Sequence, residues 1–290
     1  MAEEAGARRR SVQCVSPRGL HRMAYLEWGD PRNRAVVVCV HGLTRTGRDF
    51  DPLARALCGR FRVVCPDVAG RGDSDRLADP ALYGLPQYVA DMVTLVARLD
   101  VESVSWVGTS MGGLIGMALA AQPGTPIARL VLNDVGPRLA KEALQRIAAF
   151  VGEAPAFATL EDAVAYLRAV HAPFGPHSDA QWRFLAETFV RRNDGGSYRA
   201  HYDPRIAEPI RAGPLDRDAE LWPIYDAIRC ATLVLRGAQS DLLSADTAAE
   251  MARRGPKAKV VEIPGVGHAP TLMSDAQVGV VRSFLEEDSP

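Results

Sequence analysis

The chain has 290 residues, enough for one large domain or for a core with an inserted segment. Its 34 Lys and Arg residues nearly balance its 35 Asp and Glu residues, and the net charge is −1. This balance excludes an overall basic surface, so we expect neither nucleic acid nor an anionic membrane as a partner. A hydrophobic content of 47% and a charged content of 24% are ordinary for a soluble globular protein.

The cysteines and the N-terminal residues bear on the compartment. None of the five cysteines forms a C-x-x-C pair, which favours free thiols in a reducing environment. Residues 1–13 are acidic and then arginine-rich and contain no apolar stretch of the kind found in signal peptides. The longest apolar runs are too short to span a membrane. The sequence therefore predicts a cytoplasmic protein.

Strands and helices alternate along the first half of the chain. Continuous apolar runs predict strands, and apolar residues at helical spacing predict helices. In chain order, the predicted elements are strand 23–28, strand 35–40, helix 50–57, strand 61–65, helix 86–99, strand 104–107, helix 113–120 and strand 128–132.

The alternation stops after the strand that ends at residue 132. Residues 138–222 are rich in Ala, Arg, Phe and Trp at helical spacing and contain no run typical of a buried strand. The helices predicted in this segment are 140–150, 160–169 and 179–191, and the alternation then resumes with strand 231–235, helix 245–252, strand 259–263 and helix 275–285.

This order of elements predicts an α/β fold in which a mostly parallel sheet is flanked by helices on both faces. We expect a core in two parts, residues 12–137 and 223–288, with residues 138–222 inserted between two core strands as a helical cap. The alternative is that the inserted helices form a peripheral layer with no role in substrate binding.

The most informative motif is Gly108-Thr109-Ser110-Met111-Gly112, which lies between a predicted strand and a predicted helix. A strand, Gly-x-Ser-x-Gly and a helix in this order are typical of a nucleophile elbow, a sharp turn that exposes the serine hydroxyl above the sheet. We expect the two glycines to be required because side chains there would press the strand against the helix. Ser110 is the predicted nucleophile.

A serine hydroxyl needs a base, since it is a weak nucleophile at neutral pH. The best candidate is His268, in the glycine-rich loop after the last predicted strand. His41 ends an earlier strand and is predicted to shape a nearby loop instead of moving protons. The remaining candidates fall in the predicted cap, where we expect surface or structural roles: His171, His177 and His201.

The histidine in turn needs an acid that holds its tautomer and stabilises its charged form. Two aspartates follow predicted strands, and both should lie at the carboxyl edge of the sheet. Asp241 follows strand 231–235, and Asp134 follows strand 128–132. The chain order Ser, Asp, His holds for either one. We favour Asp241 as the acid and expect Asp134 to stabilise the turn into the cap.

Taken together, these motifs resemble those of the α/β-hydrolase superfamily over nearly the whole chain. The matching segments are His41-Gly42, Pro66-Asp67, Gly70-Arg71-Gly72-Asp73-Ser74, the elbow at 108–112, the turn at 237–241 and Gly267-His268. The resemblance adds weight to Asp241, because the matching position is the usual triad acid. It also implies that the main-chain N–H groups of Leu43 and Met111 form the oxyanion hole.

The serine narrows the reaction within this superfamily. Epoxide hydrolases and haloalkane dehalogenases of this fold have an aspartate in its place and are disfavoured. The loop Gly42-Leu43-Thr44-Arg45-Thr46-Gly47 departs from the pattern of carbon–carbon hydrolases, and Ser110-Met111-Gly112-Gly113 is similar to the elbow of cofactor-free haloperoxidases. Residues 196–204 are similar to intracellular esterases that act on hydroxyalkanoate oligomers.

The sequence therefore predicts a serine hydrolase that cleaves small to medium carboxylic esters through an acyl-enzyme, without a metal or an organic cofactor. Its expected partner is a small-molecule ester, bound between core and cap. Hydrolysis of hydroxyalkanoate oligomers or lactones, carbon–carbon hydrolysis, and a non-catalytic receptor on the same fold remain alternatives. The expected lining residues of the pocket are Arg45, Trp106, Phe174 and Tyr202.

Overall fold

The computed structural model describes residues 6–287. Residues 1–5, which begin the segment judged to lack a signal peptide, lie outside the described residues. Residue 288, the predicted end of the second part of the core, also lies outside them. No helix within 6–287 is both long enough and apolar enough to cross a membrane.

An eight-stranded sheet forms the centre of the molecule. Its strands are β1 (Ala7–Ser16), β2 (Gly19–Trp28), β3 (Val36–Val40), β4 (Arg62–Pro66), β5 (Val104–Thr109), β6 (Ile127–Asn133), β12 (Ala231–Gly237) and β13 (Lys259–Ile263). They are arranged in the order β1-β2-β4-β3-β5-β6-β12-β13. The six strands from β4 to β13 in this order are parallel, and β2 is antiparallel to both of its neighbours.

Helices cover both faces of the sheet, as predicted. The core helices are α1 (Asp51–Leu57), α2 (Leu85–Arg98), α3 (Met111–Ala120), α9 (Ala245–Met251) and α10 (Asp275–Glu286). Strand β3 is fully buried, and its side chains alternate between two hydrophobic clusters. Helices α2, α3 and α9 contribute to one cluster, and α1 and α10 contribute to the other. A central strand covered on both sides explains the continuous apolar run in its sequence.

The first strand, β1, was not among the predicted elements. It pairs antiparallel with β2 along its whole length, from Ala7 opposite Trp28 to Ser16 opposite Gly19. Only Val12 and Cys14 of this strand are buried, because it lies at the edge of the sheet. An edge strand that exposes most of its side chains carries little of the hydrophobic alternation from which strands are predicted.

Residues 138–222, called the insertion from here on, leave the sheet after β6, and the chain returns to it at β12. The elements of this region are β7 (Arg138–Leu139), α4 (Lys141–Phe150), β8 (Ala156–Phe157), α5 (Leu160–Val170), α6 (Asp179–Phe189), β9 (Val190–Arg192), β10 (Tyr198–Ala200), α7 (Ala207–Ala212) and β11 (Ala219–Glu220). Helix α8 (Trp222–Ala227) begins at the last residue of the insertion and leads towards β12. The short strands form two small sheets, β8-β10-β9 and β11-β7. Strands of two or three residues are too short to show a period in the sequence.

Candidate active site

Ser110 lies at the turn between β5 and α3, in a backbone conformation that few side chains adopt, with φ 51° and ψ −114°. The close approach of the backbone explains the two glycines. A Cβ at Gly108 would lie 2.3 Å from the carbonyl carbon of Gly112. A Cβ at Gly112 would lie 2.0 Å from the carbonyl oxygen of Val40. The close neighbour of this glycine is therefore the end of β3, and not the strand β5 that precedes it. Both positions exclude any larger residue.

A continuous chain of hydrogen bonds joins Ser110, His268 and Asp134. The Nε2 atom of His268 lies 3.0 Å from Ser110 Oγ, and its Nδ1 atom lies 2.7 Å from Asp134 Oδ2. An ionised carboxylate only accepts hydrogen bonds, so the Nδ1 atom carries the proton. The Nε2 atom of the neutral ring is then an acceptor facing the serine hydroxyl, the arrangement that general-base catalysis requires.

Asp134 is held firmly at the end of β6. Its side chain is 0% exposed. Apart from His268, its carboxylate accepts hydrogen bonds from the Gly237 main-chain N–H at 2.8 Å and from the Ser240 hydroxyl at 2.6 Å. The main-chain N–H of Asp134 donates to Leu235 on β12. The end of β12 and the loop that follows it therefore donate to the carboxylate and compensate for its burial.

The structure corrects the predicted partner of His268, because Asp241 does not occupy that place. The Asp241 side chain is 54% exposed and forms an ion pair of 2.7 Å with Arg146 of the insertion. The loop turns after Gly237, with the Ser240 N–H bonded to the Gly237 carbonyl, and Ser240 is the residue that reaches inward. Asp241, one residue later, lies at the surface, and the Nδ1 atom of His268 is already bound to Asp134.

The two main-chain groups predicted to bind an oxyanion border the same cavity as Ser110. Leu43 lies in the loop after β3, and Met111 is the first residue of α3. No acceptor among residues 6–287 is bonded to either N–H group. The N–H of Met111 is one of the unpaired donors at a helix N-terminus, where the helix dipole favours negative charge.

His41 supports this loop. The Val68 N–H donates to its Nε2 atom at 2.9 Å, and its Nδ1 atom lies 2.6 Å from the Gly42 carbonyl oxygen. Because an N–H only donates and a carbonyl only accepts, the ring is neutral with its proton on Nδ1. Burial lowers the pKa of His41 to about 4, in agreement with a neutral ring. The contacts of His41 are to loop backbone, as its predicted shaping role requires.

A cavity of about 580 Å³ opens above Ser110, between the sheet edge and the insertion. Of the expected lining residues, Arg45 and Phe174 border it, whereas Trp106 is core and Tyr202 is buried outside the lining. His171 also borders the cavity, and His177 and His201 do not. Most of the wall from the insertion is apolar and consists of Leu139, Leu144, Ile147, Phe150, Val170, Phe174, Leu185, Ile206 and Ile210.

Ser240 and Arg146 are the residues of the site that sequence reasoning missed. Ser240 stands beside the favoured Asp241, and the signals in this turn, its strand-end position and the family resemblance, pointed to Asp241 and not to Ser240. Arg146 lies within a helical pattern that resembles any other exposed helix face. Their roles depend on contacts between segments far apart in the chain, which local patterns do not report.

One group of side chains within residues 6–287 has the types and spacing of metal ligands: Cys14, His21 and Asp91. It lies between the β1–β2 hairpin and α2, and none of its members borders the cavity. The buried Asp91 carboxylate is bonded to His21 Nε2 at 3.0 Å and accepts from Gln87 Nε2 at 2.7 Å. These bonds engage both oxygens of the Asp91 carboxylate, and the bond to His21 joins the hairpin to α2.

Comparison with known proteins adds to this geometry. Residues 37–282 match the family model described as "Alpha/beta hydrolase family". The 3-hydroxybutyrate-oligomer hydrolase of Cupriavidus necator is 55% identical over 281 residues, which is 94% of this chain and 96% of that protein.

Two solved structures are similar over nearly their whole length. A putative hydrolase from Rickettsia typhi has a TM-score of 0.90 at 31% identity, covering 97% of this chain and 100% of that one. An alpha/beta hydrolase from Novosphingobium aromaticivorans has a TM-score of 0.88 at 39% identity, covering 98% and 99% of the two chains.

Proposed function

The chain belongs to the alpha/beta hydrolase family, as its motifs predicted, and from this premise we propose that it is a serine hydrolase of carboxylic esters. The observation that carries the proposal is the hydrogen-bonded chain from Asp134 through His268 to Ser110. In this chain, His268 donates to Asp134 and accepts from Ser110, so that it can remove the serine proton and make the hydroxyl a nucleophile. The acid of this triad is Asp134, in place of the predicted Asp241.

In the first half of the proposed reaction, Ser110 Oγ attacks the ester carbonyl carbon while its proton passes to His268 Nε2. The Asp134 carboxylate stabilises the resulting imidazolium, and the N–H groups of Leu43 and Met111 stabilise the negative carbonyl oxygen. His268 then gives the proton to the leaving oxygen. The C–O bond breaks, the alcohol departs, and the acyl group remains on Ser110.

In the second half, a water molecule takes the place of the alcohol. His268 accepts a proton from this water, and the oxygen attacks the acyl carbon. The proton returns to Ser110 Oγ as the acyl bond breaks, which releases a carboxylic acid and restores the enzyme. Every proton is carried by these side chains, and the proposed mechanism uses no metal or organic cofactor.

For the substrate, we propose oligomers of 3-hydroxybutyrate. The 55% identity to the Cupriavidus necator hydrolase along almost the full length of both chains supports this assignment. A cavity of about 580 Å³ is within the range of small-molecule sites, roughly 300–1,000 Å³. Its apolar wall suits the methyl groups of such an oligomer. In this proposal, the insertion is a cap that encloses the substrate.

The compartment of the enzyme stays a prediction. All five cysteines are free, which suits the reducing interior of a cell.

The test is turnover of a nitrophenyl ester and of two 3-hydroxybutyrate oligomers by the wild-type protein and by Ser110→Ala. We expect the wild type to hydrolyse p-nitrophenyl butyrate and to release 3-hydroxybutyrate from its dimer and trimer. A fluorophosphonate probe should label Ser110. Turnover of the nitrophenyl ester alone would overturn the substrate, whereas labelling without turnover of any ester would favour the non-catalytic receptor.

A further inference from the structure

Two cationic side chains border the cavity within residues 6–287, Arg45 and Arg146. The other residues of the wall that can carry a positive charge are histidines. Burial, together with the smaller effect of the Arg45 charge, lowers the pKa of His171 to about 3, so that His171 is uncharged at neutral pH. His41 is neutral as well, as its hydrogen bonds require. The third histidine of the wall, His268, has both ring nitrogens engaged by Asp134 and Ser110. A substrate anion would therefore find its partner at one of the two arginines.

Arg45 is already committed to contacts within the protein. Its side chain is 7% exposed and forms a forked ion pair with Asp49, at 2.6–3.2 Å. It also donates to the Leu185 carbonyl oxygen and to the Thr188 hydroxyl of α6, each at 3.0 Å. These bonds join the loop after β3 to the insertion. The Nη1 atom is buried and has no partner among residues 6–287, but Nε and Nη2 are both engaged. A carboxylate could therefore reach Arg45 through Nη1 alone, and a forked pair with it would break several of these bonds at once.

Arg146 differs in every one of these respects. It projects from α4, its side chain is 46% exposed, and the ion pair with Asp241 is the contact that the described residues make with its charge. A planar guanidinium has five donors in a fork that fits a carboxylate, so a single ion pair leaves most of them available. The Asp241 partner is also half-exposed and solvated, so replacing it with another carboxylate costs little free energy.

Resting on the proposed function, we infer that Arg146 forms a carboxylate subsite that binds the free acid end of the oligomer. An oligomer of a hydroxy acid ends in one carboxylate, and cleavage at Ser110 requires this end to lie elsewhere in the cavity. Asp241 holds the guanidinium at the cavity wall in the free enzyme, and the substrate carboxylate replaces it. The cavity then distinguishes oligomeric acids from neutral esters of the same size.

The test compares the dimer of 3-hydroxybutyrate with its methyl ester, following cleavage of the internal ester by chromatography. In Arg146→Gln, we expect KM for the acid to rise about tenfold with little change in kcat, since a charged hydrogen bond that is half screened is lost. The preference for the acid over the methyl ester should fall by the same factor. In Asp241→Asn, KM for the acid should fall two- to fivefold, because the competing carboxylate is gone.

The matched control is Arg183→Gln. Arg183 is also a half-exposed, ion-paired arginine of the insertion, at 53% exposure, but it does not border the cavity. Its substitution should leave the preference for the acid unchanged. Raising the ionic strength should increase KM for the acid in the wild type and have a smaller effect in Arg146→Gln.

Equal changes for the acid and the methyl ester in Arg146→Gln, or no change for either, would overturn the subsite while leaving the ester hydrolase intact. Failure of the wild type to cleave either compound would instead overturn the proposed function. These two failures are distinguishable because the methyl ester tests the chemistry without the charge.

Discussion

The neighbouring parallel strands β6 and β12 each end in a loop with an aspartate, and the two aspartates differ sharply. Asp134 after β6 is 0% exposed and is bonded to His268 Nδ1 at 2.7 Å. Asp241 after β12 has a side chain that is 54% exposed and is paired with Arg146. The last residue of β12, Gly237, and Ser240 of the loop after it supply donors to Asp134. The comparison shows that the loop after β12 supports the carboxylate that follows β6.

Position at the carboxyl edge of the sheet therefore does not decide which acid meets the histidine. Both aspartates satisfy that rule, and both satisfy the chain order. The two aspartates differ because Asp134 is buried and accepts hydrogen bonds that compensate for the loss of water. A buried carboxylate is stable only where such donors surround it. The predictions below test this contrast.

The largest effect is expected at the nucleophile, which His268 and its acid serve together. Ser110→Ala should lower kcat for p-nitrophenyl butyrate by roughly 10⁴–10⁶, because losing one member disables the whole triad. Steady-state kinetics and thermal unfolding measure activity and fold side by side. A folded variant that keeps more than a tenth of wild-type activity would contradict the role of Ser110.

The contrast itself is tested by two matched substitutions. Asp134→Asn should lower kcat by about 10⁴, because the amide no longer stabilises the imidazolium and permits the wrong tautomer of His268. Asp241→Asn should change kcat by less than about tenfold with the same neutral ester. The opposite ranking of the two variants would restore Asp241 as the acid.

The effect of burial on an ionisable side chain can also be tested at His41, which follows a third strand, β3. Folded His41 is protonated only below its lowered pKa of about 4, whereas the unfolded residue is protonated below 6.5. The unfolded state thus binds more protons at this residue in this window, so the contribution of His41 to the free energy of unfolding is constant above pH 6.5 and falls as the pH drops towards 4. At about 1.4 kcal/mol per pH unit, the loss approaches ~3 kcal/mol.

Urea unfolding at several pH values between 4 and 7 measures this loss. Other groups also titrate in the window, so the same series on His41→Gln is the control. We expect the variant to have a shallower decline than the wild type, together with lower stability at pH 7. Parallel declines for the two proteins would rule out His41 as the titrating group.

The smallest effect is expected where the loop after β12 supports Asp134. Ser240→Ala removes one hydrogen bond from the carboxylate, and a loss of ~1 kcal/mol corresponds to a several-fold decrease in kcat. Ser244 is the matched control, because its hydroxyl caps α9 and lies away from Asp134. Ser244→Ala should cost ~1 kcal/mol of stability and leave kcat unchanged. Identical kcat values for the two variants would show that Ser240 does not support the acid.

Much of the fold and part of the site could be predicted from the sequence alone. The alternation of apolar runs with helical patterns predicted the parallel sheet and its helices, because burial on both faces demands it. The elbow around Ser110 is a local motif, and its glycines are required by backbone contacts within a few ångströms. His268 was marked by the loop after the last core strand. Strand β1 escaped prediction, since an edge strand buries only a few side chains.

Only the tertiary structure decided which aspartate meets His268. Asp134 and Asp241 each follow a strand at the same edge of the sheet, and the family resemblance favoured Asp241. The outcome depends on the turn at 237–240, which brings Ser240 inward and leaves Asp241 at the surface beside Arg146. These contacts join residues about a hundred positions apart, and no local pattern encodes them. A carboxylate is buried where distant donors converge, and this convergence exists only in the folded chain.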